Sequence, residues 1–122
     1  MTPLSRERGQ ATVEFALLLP LVALLALALA EAGLVVRDQV LVTHAAREAA
    51  RAAAVGADPV VAAWAGSGLG DLVVTVSAVG GASGSRTVRI QRQEHGHLPL
   101  FGRVSAGLVL EATATMRFEG PP

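Results

Sequence analysis

The hydrophobic positions fall into distinct regimes along the chain. From Phe15 to Ala30 the run FALLLPLVALLALALA carries no charge and is interrupted only by Pro20. Counted from Ala11 the segment is 20 residues long. As a helix it spans roughly 30 Å, the thickness of a bilayer core. Beyond Ala30 the apolar residues return at three- and four-residue spacing. Leu34, Leu41, Val42, Ala45, Ala49 and Ala52 share one helical face, and Arg37, His44, Arg47, Glu48 and Arg51 lie mostly on the other. Gly56, with Pro59 after it, is a stop signal. The pattern therefore predicts one helix from about Ala11 to Val55, apolar all round in its first half and one-sided in its second. Gly33 is tolerable inside it, and Pro20 is expected to remove one backbone hydrogen bond and kink it.

After the helix the period changes. Asp58-Pro59 is an N-cap followed by proline at the first helical position, which predicts a short helix through about Trp64, ended by Gly66-Ser-Gly-Leu-Gly70. Alternation of period two then takes over in three runs. Leu72–Val79 is rich in valine, and Gly80–Ser85 forms a turn. In Arg86–Arg92, Val88 and Ile90 face one way while Arg89 and Gln91 face the other. In the last run Leu110, Ala112, Ala114, Met116 and Phe118 oppose Glu111, Thr113, Thr115, Arg117 and Glu119. Three strands with one apolar face predict a small antiparallel sheet packed on the helix. Trp64 is expected to anchor the short helix to this sheet. The stretch 93–107 gives no clear element, beyond a short apolar Leu98-Pro-Leu-Phe-Gly102 that could dock. Gly120–Pro122 reads as a frayed tail.

Composition narrows the function. Of 122 residues, 52% are hydrophobic, and the concentration in residues 11–36 accounts for about a third of these. Ten basic residues, all arginine, balance ten acids, and there is no cysteine. A chain this apolar is not disordered. A disulfide scaffold and a cysteine-ligated zinc site are excluded. Zero net charge with few aromatics argues against nucleic acid as a partner. His95-Gly96-His97, even with His44, lacks a recognisable ligand set, so the histidines are read as exposed loop residues and no metal or cofactor is expected. The serines have no nucleophile setting and the glycines no dinucleotide fingerprint, so the chain reads as a non-enzyme without a small-molecule substrate.

Arg6 and Arg8 before the apolar run favour a cytoplasmic N-terminus. One reading is a secretory signal cut after Ala28-Leu29-Ala30, releasing a small secreted domain. Against it stand Glu14 at the mouth of the run, the length of the run, and helical patterning that continues past Ala30. An ionised glutamate inside a bilayer is costly and needs a reason. Glu14 could lie at the headgroup level beside Arg6, Arg8 or the helix N-terminus, or it could pair with a charge on another chain.

The order of basic leader, apolar helix, amphipathic extension and small sheet is the plan of a pilin. G-Q-A-T-V-E-F-A-L-L-L-P at 9–20, Glu31-Ala32-Gly33, and A-A-R-E-A-A-R-A-A-A at 45–54 resemble the TadE/TadG-like minor pilins of tight-adherence (Flp-type) pilus systems. The resemblance implies an α+β, pilin-like fold: a long transmembrane and amphipathic helix, a short helix and about three antiparallel strands. It implies a cytoplasmic leader (1–9), a transmembrane helix (10–32), an amphipathic extension (33–57) and an extracytoplasmic domain (58–122). It also implies a processing site at Gly9–Gln10 read by a prepilin peptidase, and recognition and assembly through Glu14 and Phe15. The implied partners are other pilins or pseudopilins, the pilus assembly platform and the membrane, which the chain crosses once. An uncleaved bitopic anchor of a secretion complex is the remaining alternative.

Overall fold

The computed structural model of the protein describes residues 3–79 and 84–119. Its elements are α1 (Pro3–Ala54), α2 (Pro59–Ser67), β1 (Val73–Val79), β2 (Ser85–Gln93), α3 (Gly102–Ser105) and β3 (Val109–Arg117). This is the expected α+β plan. The centre of the expected turn, 80–83, the tail 120–122, and the side chains of Arg6 and Arg8 lie outside the described residues.

α1 is one uninterrupted helix of 52 residues, about 78 Å long. It begins eight residues earlier than the pattern suggests. Nothing in the leader stops a helix, and Pro3 at its first position lacks only an N–H that would have no partner there. Pro20 sits inside α1 without ending it. At the other end Gly56 adopts φ 76°, Gly56 N–H donates to Ala53 O and Ala57 N–H to Ala52 O. Those two bonds are a Schellman cap, which uses the left-handed freedom of glycine.

α2 starts as its sequence dictates: the Asp58 carboxylate accepts from Val60 N–H at 2.8 Å, with Pro59 next. It ends at Gly68, whose N–H returns to Trp64 O. Trp64 does not serve as the expected anchor. It is 49% exposed, whereas Ala63 is fully buried. The small residue faces α1 because the two helices pack closely, as Gly66 also shows: a Cβ there would lie 3.0 Å from Glu48 Cγ.

The sheet is an antiparallel meander, β1-β2-β3. Val88 opposes Val76 and Ala114, and Ile90 opposes Val74 and Ala112. Val88 and Ile90 are fully buried, against Val42, Ala45, Ala49 and Ala53 of α1 in one core. Burying side chains of that size stabilises the fold by about 1.5–3 kcal/mol each. The opposite face is polar. Thr87 and Thr115 hydroxyls meet at 2.9 Å, and Glu111 accepts from Gln91 at 2.8 Å and pairs with Arg89 at 3.2 Å.

The contacts between α1 and the sheet form a ladder that fixes its height along the helix. Glu119 N–H donates to Ala54 O, and Gln39 Nε2 donates to Glu111 O. Gln39 to Ala54 covers about 22 Å of helix, and Glu111 to Glu119 about 26 Å of strand, so β3 runs parallel to α1 with matched rise. The folded domain thus covers residues 31–54. From Gly9 to Ala30 every side chain of α1 is exposed except that of Ala28, which is half-buried.

Candidate functional site

The N-terminal motif lies on a single exposed stretch of α1. Gly9, Gln10, Glu14 and Pro20 are all exposed, and Phe15 keeps 67% of its surface free. A Cβ added at Gly9 would meet nothing within 4 Å. Gln10 and Glu14 are four residues apart and share a face, and Gln10 Nε2 donates to Glu14 Oε1 at 3.3 Å. Above them the leucines are turned outward, with Leu17 72%, Leu21 64% and Leu29 66% exposed. Among the described residues, α1 is the one helix long and apolar enough to cross a membrane. An uncovered surface of this extent on a folded chain needs lipid or other helices around it.

A second cluster lies where the domain first meets α1, and the sequence pattern did not reveal it. Glu31 and Asp38 are seven residues apart on the face that later carries Val42, Ala45 and Ala49. Each is only 4% exposed. Glu31 accepts from His97 N–H (3.1 Å), Leu98 N–H (2.9 Å) and Ser105 Oγ–H (2.5 Å). Asp38 accepts from Arg92 Nη1 at 2.6 Å, and His97 Nε2 lies 3.2 Å from the same oxygen. The other His97 nitrogen lies 3.4 Å from Glu94, which is 1% exposed. Arg92 Nε also donates to Asp71 at 2.9 Å. Burial works to raise the Asp71 carboxyl, but the hydrogen bond and charge of Arg92 outweigh it and hold it below its ordinary value. Asp71 and Asp38 in turn hold the guanidinium charged against the cost of its own burial.

This cluster gives the stretch 93–107 its place. Glu94 N–H donates to Leu108 O and Gly107 N–H to Glu94 O, which closes the base of a loop. Gly96, at φ 74°, lets the chain turn back against Gly102. The loop then caps Glu31 with two amides and a hydroxyl. His97 is an exposed loop residue, as expected, but its ring is held between Asp38 and Glu94, with 28% of the side chain free. His95 matches the expectation better, at 69%, and His44 is exposed on α1. Asp38, Glu94 and His97 hold potential ligand atoms within 4.8 Å of one another. His97, however, presents opposite ring edges to the two acids, and Arg92 already occupies Asp38. The arrangement is a clamp of ion pairs, in which Glu94 Oε2 has no hydrogen bond among the described residues and faces Arg92 Nη1 at 3.8 Å. Buried carboxylates persist where such partners hold them.

The clue was present in the pattern. Two acids at i and i+7, in line with the buried face, cannot stay buried without donors. Arg92, Glu94 and His97, from the end of β2 and the loop after it, pair with Asp38 or surround it. The two sites are separated along α1: Glu14 lies 17 residues, about 25 Å, before Glu31.

No curated protein and no solved structure gives a match to this chain. Residues 9–51, which begin at the glycine of the N-terminal motif and run through Glu31, Asp38 and most of the alanine-rich face, match the sequence model of the TadE-like protein family. Over that segment the chain is similar to TadE-like proteins.

Proposed function

We propose that the protein is a membrane-anchored minor pilin, or pseudopilin, of a tight-adherence (Flp-type) pilus. The observation that carries this reading is Glu14, five residues after Gly9, at the head of an apolar helical stretch that is exposed as far as Ala30, Ala28 apart, within the segment matched by the TadE-like model. A prepilin peptidase cuts between Gly9 and Gln10 on the cytoplasmic side. Hydrolysis gives Gln10 a new α-amino group and makes Glu14 the fifth residue of the mature chain. The bond lies within α1, so that turn unwinds in the peptidase.

Residues 11–30 then have two successive environments. In the membrane they meet lipid. In the filament they meet the same segment of neighbouring subunits, where alanine lets helices approach closely. Moving Glu14 out of contact with water requires a positive partner, and the freed amine of a neighbour is one of matching charge. Gln10 and Glu14 already share a face, so amine and carboxylate are presented together. The domain carried on residues 31–54 becomes the exposed surface that docks, primes or caps the pilus.

Replacing Glu14 by alanine tests this. Glu14→Ala removes one charge from an exposed helix position, so folding and membrane insertion are expected to be unchanged. Incorporation into sheared pili is expected to fall by about tenfold or more, the scale of a lost buried charge partner. Normal incorporation of the variant would show the paired-charge mechanism to be wrong.

A further inference from the structure

The loop that caps Glu31 carries more apolar surface than its own packing needs. Leu100 is 68% exposed, Val104 78%, Leu108 50% and Val109 60%. Leu100 also has φ 70°, and Phe101 N–H donates across it to Pro99 O at 2.9 Å. That is a γ-turn with its central residue at positive φ, a strained form. The strain holds a leucine side chain outward, away from the core.

The height of this surface is fixed by Glu31, the residue directly after the apolar run. Phe101 and Val104 line an open groove of about 490 Å³ together with Ala28, Ala32, Val35 and Val36 of α1. Ala28 belongs to the span itself. The loop therefore lies beside the last turn of the span, at the end of the domain farthest from Ala54. On α1, Leu25 stands one turn before the groove residue Ala28 and Leu29 one turn before Ala32, and both are exposed. Arg103, exposed on α3, directly precedes Val104.

We infer that Leu100, Phe101 and Val104 form a second membrane contact, seated in the lipid leaflet from which residues 31–122 emerge. This rests on the reading of residues 11–30 as a membrane span. Lipid is the occupant because the groove opens at the level where the span leaves the bilayer. Apolar side chains beside an exposed arginine suit the boundary between acyl chains and anionic headgroups. With the loop clamped by Glu31 and the span in the membrane, the domain has two fixed points instead of one, so it stands in a defined orientation on the membrane before extraction.

The test uses the full chain in vesicles of phosphatidylethanolamine and phosphatidylglycerol that contain lipids brominated along the acyl chain. Trp64→Phe removes the native fluorophore, and a single tryptophan is then placed by Val104→Trp, by Leu21→Trp in the span, or by Thr113→Trp on the polar sheet face. Val104→Trp is expected to be quenched by the brominated lipids, most strongly when bromine is near the headgroup end. Leu21→Trp is expected to be quenched by deeper bromines, and Thr113→Trp by none. If Val104→Trp is quenched no more than Thr113→Trp while Leu21→Trp is quenched, the second contact is wrong and the span stands. If Leu21→Trp is also unquenched, the span itself is wrong and the contact falls with it. A Val104→Trp shielded from aqueous acrylamide yet unquenched by lipid would put a second copy of the chain in the groove, and that also overturns the inference.

Discussion

Glu31→Ala is expected to destabilise the domain and to release the loop 97–108 from α1. The carboxylate is the shared acceptor of the His97 and Leu98 amides and the Ser105 hydroxyl, and it is 4% exposed. Alanine leaves the His97 and Leu98 amides facing an apolar helix surface without an acceptor, and the Ser105 hydroxyl with Gly102 O alone, so the loop must lift to reach water. The core around Val88 and Ile90 does not depend on Glu31, and the sheet should persist. Hydrogen exchange on the full chain in detergent would separate the two effects. Amides of 97–108 should lose protection while those of β2 and β3 keep theirs. Glu31→Gln keeps an acceptor oxygen and should show a smaller loss. Unchanged protection of residues 97 and 98 in the alanine variant would contradict the assignment of Glu31 as the loop's anchor.

Gly96→Ala is expected to be at least as damaging, by a different cause. A Cβ at residue 96 would lie 2.0 Å from Gly102 O and 2.4 Å from its carbonyl carbon. These are backbone atoms and cannot rotate away. The φ of 74° adds a further cost for an L side chain, on the order of 1–2 kcal/mol. The loop must reopen between Gly96 and Gly102, which pulls His97 and Leu98 from Glu31. Because both substitutions free the same loop, the double variant should lose less than the sum of the two. Gly33→Ala is the control. It lies within α1 with nothing within 4 Å of the added carbon, and should be neutral or stabilising by up to about 1 kcal/mol. Urea unfolding of the three variants would check the order.

The parts of this fold that obey local rules are legible in the residues. Asp58-Pro59 starts α2, and Gly56 ends α1. The alternation of Val88 and Ile90 with Arg89 and Gln91 places β2 with the correct face inward. A single stripe is too narrow for the alanine-rich face. Ala46, Ala50, Ala53 and Ala54 are buried as well as the predicted Ala45 and Ala49, because α2 covers one flank of α1 while β2 and β3 cover the other. A single-stripe pattern describes a helix with one neighbour. The clamp around Glu31 and Asp38 is harder still to foresee. It joins positions 54 to 74 residues apart, and no local period encodes such pairings. Its trace in the sequence is negative: two acids on a face that should hold none.

The same distinction applies to the N-terminal motif. Folding does not explain Gly9, Glu14 or Phe15, since each is exposed. Pro20 weakens the helix it sits in. In the proposed function, these residues serve a peptidase, a bilayer and neighbouring helices.

The most direct measurement of that role is the N-terminal mass of the protein extracted from the membrane of cells that contain its pilus system. A processed pilin is expected to give a mature chain that begins at Gln10, with residues 1–9 removed. A chain that retains Met1 would leave a static anchor, and one that begins at Glu31 a released domain; either result would contradict the assignment as a processed pilin.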